Sequence, residues 1–98
     1  MSEPQLVWNN RPVRPIEIDI RTGRVVREAF TVDRENGMWE LLVKTLRYVD
    51  DGEPVFTSVD EVLAQPLRLQ QRLQLIAAVA ITVNGLDQPQ GEGDSPPV

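Results

Sequence analysis

Adjacent carboxylates are the first place to look for chemistry in this sequence of 98 residues, and Asp50-Asp51 and Asp60-Glu61 supply two pairs. Paired carboxylates do acid–base work when their surroundings push their pKa values apart. Each pair here has a plainer use. Asp50 and Asp51 stand before Gly52 in a turn, and Asp60 and Glu61 follow Ser58 at the start of a short helix, where negative charge is favoured. The run Asp50-Asp51-Gly52-Glu53 hints at calcium, but it lacks the ordered oxygens and distant glutamate of an EF-hand loop. Histidine and cysteine are both absent, which removes the commonest metal ligand and general base along with all thiolate and disulfide chemistry. Gly23, Gly37, Gly52 and Gly85 are single and scattered, so no glycine-rich phosphate loop forms. These residues point away from an enzyme and call for no cofactor and no metal.

The elements that would position any site are legible as periodicities. Ile16, Ile18 and Ile20 alternate with Glu17, Asp19 and Arg21, and Val26, Phe30 and Val32 share one parity. With Gly23 between them, they predict a β-hairpin over 16–32. From Met38 to Val49 the spacing becomes helical, with Met38, Leu42, Leu46 and Val49 in one stripe and Trp39 beside it. Ser58 and Glu61 match a capping box for a short helix over 58–64. Pro66 opens a last helix over 66–84, stopped by Asn84-Gly85, with Leu86 placed to fold back on the cap. The expected fold is therefore α+β and mainly helical: an N-terminal β-hairpin followed by three helices, the middle one short. Residues 1–11 read as a flexible N-terminus and 12–86 as one small domain. Residues 87–98, with three carboxylates, three prolines and two glycines, read as a disordered acidic tail.

The last helix holds the most informative signal. Leu69, Leu73, Ile76, Ala77, Ala80 and Val83 form its apolar stripe, yet Leu75, Val79 and Ile81 lie outside that stripe. A small domain has little else with which to cover such a helix. Leu69, Leu75, Val79 and Ile81, together with Trp39, are accordingly the expected partner-binding residues. Trp8 reads either as a ring over the hairpin edge or as a second anchor. Net charge is -5, from 15 acids and 10 bases with no basic block, so nucleic acid is not expected as a partner. Leu73 to Val83 is too short to span a bilayer and no apolar run follows Met1, so neither a membrane nor export is expected.

The stretch from Trp39 to Leu86 resembles the tail assembly chaperones of long-tailed bacteriophages. The likeness rests on Trp39-Glu40-Leu41-Leu42, on the link Asp51-Gly52-Glu53-Pro54-Val55-Phe56-Thr57, on Val59-Asp60-Glu61-Val62, and on a proline-started helix ending Val83-Asn84-Gly85-Leu86. It covers about half of the chain. It implies a small helical, self-associating protein of the host cytoplasm that binds the tape measure protein and assists tail tube assembly, with no catalytic residues. By position it would put Phe56, Leu69, Leu73, Ile76 and Val83 in the helical core. A structural head–tail or tail component of the particle, or a small regulatory or antitoxin-like binding protein, would carry much the same features.

Overall fold

The computed structural model describes residues 6–86. The expectations for residues 1–5 and for the 87–98 tail fall outside them. The chain opens with β1 (Leu6–Trp8) and β2 (Arg11–Pro15), then α1 (Ile20–Val32) and α2 (Arg34–Thr45), then β3 (Leu46–Tyr48). α3 (Val59–Leu63), a 3₁₀ turn over Leu67–Leu69 and α4 (Gln70–Val83) follow. The strands form one antiparallel sheet in the order β1-β2-β3, with Leu6 opposite Val13 and Val13 opposite Tyr48.

The arrangement corrects the expected order of elements. The hairpin lies before residue 16, not over 16–32, and four helices rather than three stand among the described residues. Its turn is Asn9-Asn10, both at positive φ (55° and 60°), as a two-residue hairpin loop requires. Asparagine tolerates that conformation better than other residues with a side chain. Leu6 to Arg11, assigned to a flexible terminus, thus belongs to the sheet.

The segment assigned to the second hairpin strand is α1. Its N-cap is Asp19, whose carboxylate accepts from the Thr22 amide at 2.8 Å. Val26 and Phe30, four residues apart, then face the core as a helical pair rather than as strand neighbours. The alternating isoleucines before it remain extended only as a link. Ile16 continues the sheet by donating to Thr45 O, and Ile18 donates to the Asn84 side chain instead of to a strand.

Asp33 joins the first two helices with no loop between. Its amide closes α1 on Ala29 O, and its carboxylate caps α2 by accepting from Asn36 N. So tight a corner brings the helices together at Gly37, which is buried against Phe30. α2 ends sooner than the 38–49 periodicity suggests. Leu46 turns extended and β3 pairs with β2, which would otherwise be an open edge. The outer side of β3 is covered in turn: Tyr48 donates to Glu53 O, and Val55 to Leu46 O.

The later elements follow their local signals closely. Ser58 Oγ accepts from Glu61 N, while the Glu61 carboxylate reaches back to the Thr57 amide and hydroxyl. α4 starts four residues after Pro66, because the 3₁₀ turn intervenes. Its end is a Schellman cap: Gly85 at φ 69° donates to Thr82 O and Leu86 to Ile81 O.

The main core lies between the sheet and the helices. It joins Trp8 and Val13 to Trp39, Leu42, Phe56, Leu73 and Ile76, with Trp8 and Phe56 edge to face at 5.8 Å. A smaller cluster of Val26, Leu41 and Ala80 is closed by Ile18, Ile81 and Leu86.

Three carboxylates are held below the ordinary carboxylate range by the bonds that shape the fold. Asp19 and Glu61 are lowered chiefly by the backbone amides of Thr22 and Thr57, and Asp50 by the Arg11 guanidinium. A depressed folded-state pKa contributes stability that is present above the unfolded value and is lost as pH falls through the folded one. The melting temperature should therefore fall as pH drops below about 4. In Asp50→Asn/Glu61→Gln the fall should be shallower, measured by circular dichroism melts across the acid range. Parallel curves for the variant and the wild type would contradict this origin.

Candidate functional site

Asp50, Asp51 and Glu61, three of the four paired carboxylates, are engaged in contacts that shape the fold. Arg11 stacks over the Tyr48 ring at 3.7 Å and reaches Asp50 at 2.6 Å and Asp51 at 3.0 Å. Asp51 also accepts from the Glu53 amide across the turn. Asp50 and Asp51 of the supposed calcium loop thus face an arginine, and the hydrogen bonds that Arg11 donates to Asp50 raise the arginine's already high pKa. Glu61 is occupied in the α3 cap. Among the described residues no group of three or more acidic, histidine or cysteine side chains is placed to hold a metal ion, and no helix is long and apolar enough to cross a membrane.

The other candidate surface is the outer side of α4. The helix buries Leu73, Ile76, Ala77 and Ala80. Leu75, Val79 and Val83 stand at successive fourfold spacings on its flank, 62%, 38% and 40% exposed. Leu75 and Ile76 meet Leu6 and Val7 of β1 around a shallow groove of about 250 Å³, to which Arg72 adds a charged rim. Val7 is 42% exposed. β1 is the edge of the sheet, and among the described residues no strand pairs with its outer side. The apolar strip thus begins, at Leu75, beside the edge strand β1. Those are the two surfaces from which helix-in-groove and strand-addition docking are built.

This placement divides the expected binding residues. Leu75 and Val79 come together on the exposed strip. Ile81 lies on the opposite flank of α4, half-buried against both core clusters, and Leu69 is half-buried in the 3₁₀ turn. Trp39 is only 4% exposed and belongs to the core. Its remaining edge lines a small notch of about 170 Å³ beside Leu63 and Leu67, two exposed leucines. Val83, expected in the core, is instead part of the strip, while Phe56, Leu73 and Ile76 are buried. Two contributors escaped the sequence reading. Val83 follows Val79 by four residues, a spacing that marks a shared face. Val7 stands between Leu6 and Trp8, and a run of three apolar residues holds no alternation that would set it on the outer face.

No protein-family model matches the chain, and comparison with curated proteins and with solved structures gives no match.

Proposed function

We propose that this chain is a non-enzymatic binding protein that shields an apolar segment of a longer protein during assembly, and that it works as a phage tail assembly chaperone with the tape measure protein as its client. The observation that carries the binding role is the Leu75-Val79-Val83 strip beside Val7 and the β1 edge. The identity of the client rests on the resemblance of Trp39 to Leu86 to such chaperones.

The physics of the strip suits transient holding. Fully burying a leucine or valine contributes about 1.5–3 kcal/mol, and these side chains are already partly covered. A single strip of this size therefore binds weakly and releases readily, and several copies along one long client would add up. An aliphatic face with few polar groups sets no strict demand on sequence, as a holder of a repetitive helical client requires. A second copy of the chain would cover the same strip before a client arrives, so self-association and client binding compete.

The test is co-expression with the tape measure protein of the same phage genome. The client should become soluble and co-purify with the wild-type chain. Leu75→Asp/Val79→Asp should abolish co-purification and lower the melting temperature only modestly, because both positions are more than a third exposed. A client that stays insoluble with the wild type, or that the double variant rescues equally well, would refute the reading.

A further inference from the structure

A surface separate from the α4 strip is apolar and basic at once. It is a groove of about 310 Å³ between the start of α1, the extended link before it and the end of α4. Ile18, Ile20 and Leu86 supply its apolar walls, and Ile20 is among the most exposed large side chains of the protein.

Two of the polar groups that line the groove are already engaged. The Asp19 carboxylate accepts from Thr22 N. The Asn84 side chain accepts from Ile18 N and donates to the carbonyls of Ile16 and Ala80. Arg24 and Arg27, three residues apart on α1, also line it and make no ion pair among the described residues. The open polar groups of the groove are therefore guanidiniums, which donate and cannot accept.

Gly23 adds an independent observation. It lies inside α1 and lines the same groove. Glycine in a helix interior is less favourable than alanine. Among the described residues nothing lies within 4 Å of the position a Cβ would take there. Packing among the described residues thus gives no reason for a glycine, whereas a bound backbone passing close over the helix would give one.

We propose that this groove binds an acidic peptide segment of another protein, its carboxylates on Arg24 and Arg27 and one large apolar side chain against Ile18, Ile20 and Leu86. Negative charge in the occupant follows from complementarity to two arginines that have no ion pair among the described residues. Carboxylates match the guanidinium fork geometrically. A peptide rather than a small anion follows from the apolar wall and from the open track over Gly23.

The proposal is testable with the full chain and a fluorescein-labelled peptide that alternates glutamate and leucine, read by anisotropy at low salt and mapped by amide chemical shifts. The expected perturbations centre on Gly23, Arg24, Arg27 and Leu86. The same peptide with lysine for glutamate should bind about tenfold more weakly, and Arg24→Glu/Arg27→Glu should lose about tenfold in affinity for the glutamate peptide. Gly23→Ala should raise the melting temperature and weaken binding severalfold, which keeps the test valid if the charge-reversed variant folds poorly. Perturbations confined to other surfaces, or equal affinity of Arg24→Glu/Arg27→Glu and wild type, would overturn the proposal. So would several-fold tighter binding by Asp87→Asn/Glu92→Gln/Asp94→Asn, because the chain's own acidic segment would then be the occupant.

Discussion

Gly37→Ala is expected to melt on the order of 10 °C below the wild type, although alanine is the better helix former. Two effects of opposite sign compete at this position. Removing glycine from a helix interior gains about 1 kcal/mol of propensity. Against that, a methyl group at Gly37 would stand 2.5 Å from Phe30 Cγ and 2.8 Å from Phe30 Cα. The ring can rotate away, but the Cα belongs to the backbone of α1, which is tied to α2 through the single linking residue Asp33. Separating the helices would also loosen Phe30, which packs on both core clusters. Overpacking of this kind costs roughly 1–3 kcal/mol and more where backbone must move, so the clash wins. Gly23→Ala is the control: the same exchange in α1, with open space around the new methyl, should stabilise by roughly 0.5–1 kcal/mol. Thermal melts of the two variants side by side check the signs. If Gly37→Ala melts at or above the wild type, α1 and α2 do not meet at this residue.

The same pair of glycines marks where reasoning from sequence held and where it failed. Elements fixed by short-range chemistry were readable: the Ser58 cap with Glu61, the Gly85 stop with Leu86 folded back, and the inward stripe of Leu73, Ile76, Ala77 and Ala80. Those signals lie within one turn of each other, so no distant partner has to be known. The region from Leu6 to Val32 was misread because two patterns competed. Ile16, Ile18 and Ile20 alternate as a strand does, but a strand needs a neighbour, and β3 ends its pairing with β2 at Leu46 opposite Pro15. Beyond that point the Asp19 cap takes over, and Val26 and Phe30 read correctly only with a helical period. Gly23 then looked like a turn because nothing local distinguishes a helical glycine from a turn glycine. The true turn, Asn9-Asn10, was passed over as a polar terminus. β3 was hidden for the converse reason: Leu46-Arg47-Tyr48 continues the apolar rhythm of α2, and only the open edge of β2 makes it a strand.

The same distinction governs the candidate site. Periodicity identifies faces of a helix but not what covers them. The surplus of apolar residues on α4 was visible, and Leu75 and Val79 remained exposed as expected. Ile81 did not, because it packs on the flank of α4 that the cluster of Val26, Leu41 and Ala80 closes together with Leu86. Val83 moved outward as the register of the buried stripe settled on Leu73, Ile76, Ala77 and Ala80. An extra helix thus covers one flank of α4, while the edge strand β1 leaves the other open.

Trp39→Ala should separate a core role from a binding role more sharply than any other single substitution. The ring is buried between α3, the 3₁₀ turn and α4, beside Val62, Leu63 and Leu73. Deleting a buried tryptophan costs about 3–5 kcal/mol, part of it from the cavity left behind. A domain of this size has a total stability of about 5–15 kcal/mol, so the loss approaches the lower limit. Trp39→Ala should therefore lower the denaturant midpoint steeply, and any loss of client binding should follow the fraction of unfolded chain. Leu75→Asp/Val79→Asp should give the opposite pattern, with a stability loss of no more than about 1–2 kcal/mol and binding lost. Urea titrations and co-purification on the same preparations measure both quantities. If Trp39→Ala left the midpoint unchanged and removed binding, the ring would have to be a partner contact, and the notch beside Leu63 and Leu67 would replace the α4 strip as the docking surface. The notch is lined mainly by residues 62–67 and the strip by Leu75, Val79 and Val83, so variants at different residues separate the two readings.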